Sequence, residues 1–175
     1  MWPPPFRWFF EWVGTLPGSL FLREGAPYAF QTLLTAHVLS MCLFLGLVFM
    51  MDMRLMGIAH RDTPVSRIQR RLFPWQLLGA IVMNISGLVL FYAQPVTYWG
   101  KGFFWAKMIV MPLAIVNLLA FHYGSTYRSV AQWDTNPSPP LAAKMAGAFS
   151  IVLWVAVLSF GRLVAYDWWT IVEGV

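Results

Sequence analysis

The sequence predicts an all-α integral membrane protein: a four-helix bundle with an N-terminal amphipathic helix lying in the interface. Three observations predict it. Of 175 residues, 59% are apolar and only 11% charged, against about 25% charged in an ordinary soluble domain. Four long runs are uncharged or nearly so. None of them alternates strictly between apolar and polar residues, which excludes lipid-facing strands.

A helix needs roughly 20 apolar residues to cross the hydrocarbon. Residues 31–51 and 72–94 carry no charge, residues 103–123 carry only Lys107, and residues 145–161 form a fourth run that continues to Tyr166. The predicted spans are 29–56, 72–94, 103–123 and 142–166, making residues 29–175 a transmembrane domain and residues 1–28 an interfacial tail. In that tail Phe6, Trp8, Phe9 and Trp12 alternate with Arg7 and Glu11, the makings of a helix lying along the membrane surface. Leu16, Pro17, Gly18 and Ser19 read as a turn, followed by a short helix through Phe21 to Glu24. Met1 to Pro5 has no basic segment and is interrupted by prolines, unlike a cleavable leader.

The connections differ in chemistry. The first holds His60, Arg61, Asp62, Arg67, Arg70 and Arg71; the second, 95–102, has only Lys101; the third contains Trp133, Asp134, Asn136 and three prolines, a loop signal. The positive-inside rule puts the arginine-rich connection in the cytoplasm, and both termini then face the periplasm of a bacterial inner membrane. The +5 charge is scattered between apolar segments, so nucleic acid is rejected as a partner. The expected partners are the lipid bilayer and other membrane or periplasmic subunits. The single Cys42 excludes an internal disulfide and thiolate zinc sites.

Ionisable groups inside spans cost at least ~2.5 kcal/mol at the bilayer centre and need a reason to be there. His37 lies about two turns inside the first span, as a haem or copper ligand, a proton carrier, or a histidine hydrogen-bonded to a neighbouring helix. Lys107 and Arg162 fall at similar depth, either to hold an anionic group beside His37 or to snorkel independently. Met41, one turn beyond His37, is a further candidate for a cofactor site. At the opposite end Asp52, Arg54, Asn117 and His122 form a candidate polar or proton network. Asp52 and His122 are expected to pair, while Arg54 snorkels or binds lipid phosphate. A bis-histidine haem on His37 and His122 is disfavoured, because helical rise sets them at depths of ~12 and ~28 Å. Met50, Met51, Met53 and Met56 suit Cu(I) by their sulfur, but their spacing wraps around the helix. Gly46, Gly79, Gly87, Gly147 and Gly161 are expected at close helix contacts, and Pro112 is expected to bend its helix.

These segments together resemble a bacterial family of four-helix inner-membrane proteins of unknown function. The resemblance is carried by Thr15-Leu16-Pro17 to Ser19 with Leu22-Arg23-Glu24, by Ala36-His37-Val38-Leu39, and by Asp52-Met53-Arg54-Leu55-Met56-Gly57. It continues in Phe73-Pro74-Trp75 with Gly79 and Gly87, in Phe91, Pro95, Tyr98 and Lys107, in residues 117–122, in Trp133-Asp134, and in residues 161–166. Gln31 and Thr35 stand where the family pattern carries an acidic residue. The resemblance implies a fold and no activity. A looser likeness to copper-resistance-D-like and cytochrome-b561-like proteins rests on helix count and an intramembrane histidine alone.

Three functions are compatible with the sequence. The first is a membrane redox component or anchor binding haem b or quinone near His37, Met41, Lys107 and Arg162, with His37 on the haem iron. The second is an accessory subunit of a larger complex. The third is a small proton-linked transporter using Asp52 and His122. No hydrolase triad, metalloprotease motif or phosphate loop is present, so catalytic activity of its own is not expected.

Overall fold

In a hydrocarbon solvent a backbone amide finds a partner only within its own segment, so each uncharged run closes its hydrogen bonds as a helix. The computed structural model describes residues 6–25 and 28–171. The expectations for residues 1–5 and 172–175 lie outside them. After two short tail helices, α1 (Arg7–Gly14) and α2 (Pro17–Leu20), a π-turn over Phe21–Gly25 leads to the first spanning helix, α3 (Ala29–Leu55). The second is α4 (Val65–Ala93); α5 (Pro95–Trp99) turns the chain into the third, α6 (Gly102–Tyr123). Two helical turns, α7 (Ser125–Arg128) and α8 (Val130–Trp133), precede the fourth, α9 (Leu141–Leu163). All four long helices are apolar and long enough to cross a membrane.

The helices extend beyond some predicted spans. α4 begins at Val65 rather than near residue 72, because hydropathy marks the stretch that lipid accepts and not where hydrogen bonding begins. Its first two turns carry Arg67, Arg70 and Arg71, all exposed. The connections expected as loops contain helical turns, and Pro95 and Trp99 of α5 are buried. Pro112 leaves α6 unbroken.

α3 packs along α4, α6 along α9, and α3 also meets α9, whereas α4 and α6 scarcely touch. Glycines set the two closest seams. A Cβ on Gly79 of α4 would stand 3.2 Å from the Phe44 backbone nitrogen of α3, and one on Gly147 of α9 would stand 2.9 Å from the Asp52 carbonyl of α3. Close backbone approach of this kind replaces the hydrophobic drive that lipid removes. Gly46, expected at such a seam, meets nothing within 4 Å among the described residues.

Each end of the bundle is tied separately. At the tail end, Phe10 of α1 packs edge-on against Phe91 and Phe104, with centroids 5.4 and 6.3 Å away. Arg7 lies over Trp99 at 5.4 Å. Burial pushes the Tyr98 phenol above its usual pKa. The Ile171 amide donates to the Gly100 carbonyl at 2.8 Å, so the C-terminal segment meets this end too. Trp8 and Trp12 point outward and are exposed, as an interfacial helix requires.

The other end contains the arginine-rich connection. Arg54 does not snorkel: it is fully buried. Its Nε donates to the Thr63 carbonyl at 2.8 Å, and its Nη2 donates to the carbonyls of Asp134 and Asn136 at 3.3 and 3.1 Å. Five guanidinium N–H groups in a planar fork suit a cluster of loop carbonyls, so Arg54 joins the first connection to the third. Asp134 completes the joint. Its carboxylate accepts from the Ser66 amide at 2.7 Å and the Ser66 hydroxyl at 2.6 Å, capping α4 from a remote loop. N-terminal helix amides lack partners of their own, and Pro64 at the N-cap supplies no side-chain acceptor.

Losing an N-cap acceptor costs about 1–2 kcal/mol. Asp134→Ala is therefore expected to lower stability by that amount in detergent unfolding, with Asp134→Asn losing less. Equal stability of Asp134→Ala and the wild type would show that α4 is not capped this way.

Candidate functional site

Because α4 and α6 stay apart, a cavity of about 420 Å³ lies between them near the arginine-rich end. All four spanning helices line it. The residues from α3 and α9 (Phe44, Met51, Asp52, Ser150, Trp154) are buried, while those from α4 and α6 include the exposed Phe73, Leu77, Leu118 and Leu119. The floor is therefore the α3–α9 seam, and the mouth opens sideways between α4 and α6. The volume is within the ~300–1,000 Å³ typical of small-molecule sites.

Most polar groups lining this space are already engaged. The Asn117 amide donates to the Ala146 carbonyl at 3.0 Å, and the Gln76 amide to the Leu47 carbonyl at 3.1 Å. His122 Nδ1 is 3.1 Å from the Leu118 carbonyl and so carries its proton there. Its Nε2 then accepts from the Gln69 amide, 3.1 Å away, a polar bridge across the α4–α6 mouth. Asp52 differs. It is 5% exposed, the Ser150 side chain hydrogen-bonds its carboxylate, and its Oδ2 has no hydrogen-bond partner. The sequence places Asp52, Asn117 and His122 in one polar network, and the three share this cavity. The direct Asp52–His122 pair is not formed, because both imidazole nitrogens are engaged elsewhere. Arg54 leaves the network because its guanidinium turns into the loops.

Near the tail end, His37 meets Ser86 of α4. The Ser86 hydroxyl donates to the Val82 carbonyl at 2.6 Å, so it accepts from His37 Nδ1 at 2.9 Å. The ring also hydrogen-bonds the Met83 backbone, so α4 holds it at two points. The ring lies against Gly87, whose added Cβ would stand 3.1 Å from the imidazole Cε1. The charge of Lys107 acts on this ring, and its Nζ packs on Gly161. Met41 packs against the core around Phe44 and Trp154. Arg162 does not join His37: its guanidinium stacks over Tyr166 at 5.3 Å and donates to that phenol at 3.0 Å. Of the four residues expected around a tail-end cofactor, His37 and Lys107 are neighbours and Arg162 is drawn away. The clustered methionines also diverge, Met51 into the core and Met50 and Met53 outward. No group of three or more His, Cys, Asp or Glu side chains suited to a metal occurs among the described residues.

Sequence reasoning missed Gln69, Gln76, Ser150 and Trp154 as cavity residues. Gln69 and Gln76 lie seven apart, hence on one face of α4, and two glutamines on one face of a span are a usable signal. Nothing local marks Ser150 or Trp154.

The fold and cavity define a small multi-pass membrane protein whose four spanning helices enclose a partly polar cavity. The chain belongs to the Family of unknown function (DUF6644), which matches residues 9–167. No curated protein and no solved structure matches it.

A buried carboxylate without a partner costs stability. Asp52→Asn keeps the shape and removes the charge, so its unfolding midpoint in detergent should rise, by about 1 kcal/mol or more. A destabilised Asp52→Asn would mean that the carboxylate has a structural partner.

Proposed function

We propose that this protein binds a bilayer-dissolved small molecule, admitted sideways between α4 and α6, and works as a small proton-linked carrier through Asp52 and His122. The observation that supports this reading is the Asp52 carboxylate, one oxygen of which has no partner, among the lining residues of a cavity with an apolar side mouth. An intramembrane carboxylate kept at a cost in stability is a functional feature by default. A mouth lined by Leu77, Leu118 and Leu119 favours entry from lipid over entry from water.

A membrane redox role, with haem b or quinone near the tail end, is the second reading. It is favoured by His37, an intramembrane imidazole oriented by hydrogen bonds to Ser86 and the Met83 backbone, as outer partners orient histidine ligands. A Soret band in the purified protein that His37→Ala abolishes would support haem there. A colourless preparation without bound quinone would remove the reading.

We also place the protein in a bacterial inner membrane with the arginine-rich end in the cytoplasm. Among the described residues that end carries seven cations against three carboxylates, and the tail end five against three. The bias is in arginine and lysine near the spans, which is what sets orientation. An impermeant maleimide should label His60→Cys in inverted vesicles and not in intact spheroplasts; the opposite pattern would reverse the topology.

Leu77→Trp, which fills the mouth, tests the binding reading. Native mass spectrometry of protein released from its own membrane should show a small-molecule adduct on the wild type that Leu77→Trp loses. An adduct retained at full occupancy by Leu77→Trp, or none on the wild type, would overturn it.

A further inference from the structure

We propose that the cavity selects a lipophilic ammonium, an amine protonated at its head and carrying an apolar tail, over neutral or anionic lipid-soluble molecules. This rests on the binding role proposed above.

The first argument is the polar account of the cavity. The amide nitrogens of Asn117, Gln76 and Gln69 already donate, to the Ala146 carbonyl, the Leu47 carbonyl and His122. Ser150 is bonded to the Asp52 carboxylate, and the buried polar atom of the lining left unbonded is an acceptor, Oδ2 of that side chain. A buried acceptor is satisfied by a donor, and a buried carboxylate best by a cationic one. A carbonyl head such as a quinone brings two more acceptors, and a carboxylate head would repel Asp52.

The second argument is that, among the described residues, no cation is directed to Asp52. On α3, Arg54 is turned into the loop carbonyls. On α4, Arg67, Arg70 and Arg71 are exposed and none lines the cavity. On α6, His122 gives its one N–H to Leu118. On α9, Lys144 donates to the Ser138 hydroxyl at 2.8 Å.

The third argument is aromatic. Phe44 and Trp154 meet edge to face in the cavity wall two turns of α3 from Asp52, with centroids 5.0 Å apart, and Phe73, Phe121 and Tyr123 line the same space. Ring faces attract a cation most strongly where water is excluded. An ammonium at this floor would donate to Asp52 between aromatic rings, while its chain runs out past Leu77 and Leu118 into lipid. Head and tail are thereby matched to two different parts of one space.

The test compares four probes of one chain length, decylamine, decanol, decanoate and decylubiquinone, by equilibrium binding to the full chain in nanodiscs of zwitterionic lipid, corrected with empty discs. Decylamine should bind saturably and at least about tenfold more tightly than decanol. Asp52→Asn should erase that preference, with decylamine binding no more tightly than decanol, and Leu77→Trp should weaken both. Saturable binding of decanol, decanoate or decylubiquinone without a preference for decylamine would overturn the ammonium assignment and leave the cavity's binding role standing. Decylamine preference that survives in Asp52→Asn would also overturn it. Saturable binding of none of the four would overturn both.

Discussion

In lipid, two apolar helices gain nothing by hiding from the solvent, because the solvent is as apolar as they are. Everything in this bundle follows from where the chain overcomes that indifference. Gly79 brings α4 onto Phe44, and Gly147 brings α9 onto the backbone of Asp52. At the arginine-rich end Arg54 and Asp134 tie two connections to the start of α4. At the tail end Phe10, Phe91, Phe104 and Trp105 interlock. Between α4 and α6 there is neither a small-residue seam nor a polar tie stronger than the Gln69–His122 contact. The cavity is the space left where no device draws the helices together.

The segment Asp52-Met53-Arg54 shows how one stretch serves structure and site at once. Successive helical residues are turned about 100° apart, so residues two apart face different ways. Arg54 turns to the connections, where Nε and Nη2 donate to three carbonyls while Nη1 is buried without a partner. Asp52 turns to the cavity, and its carbonyl lies under Gly147. The carboxylate is thus held by a backbone that packing fixes on one side and Arg54 fixes a half-turn further on. With Ser150 bonding the carboxylate and Oδ2 left without a partner, that oxygen can meet a ligand without first giving up a bond.

His37 and Asp52 occupy the same helix and show opposite conditions. His37 has two partners on α4, Ser86 and the Met83 backbone, and a glycine against its ring; those contacts also give it a plain structural role in the α3–α4 seam. Asp52 has a cavity in front of it and one oxygen bonded to nothing. For this reason the centre of chemical interest moves from the tail-end half of the bundle, where sequence reasoning set its first cofactor site, to the arginine-rich half.

The sequence by itself determined the four spans, the interfacial helix before them and the placing of the arginine-rich connection at the end opposite the described tail segments. Each of these depends on a local quantity: apolar length, amphipathic order or charge density along a stretch. It also marked Asp52, Asn117 and His122 as intramembrane polar residues that need a reason. Only the tertiary structure decided that these three line one space while Arg54 does not, and that Arg162 turns to Tyr166. It alone showed that Asp134 caps a helix begun 69 residues earlier at Val65. Those outcomes depend on which faces of separate helices meet, and in lipid that choice rests on a few close backbone contacts and buried polar ties. A hydropathy pattern that is apolar all round each helix carries no record of them.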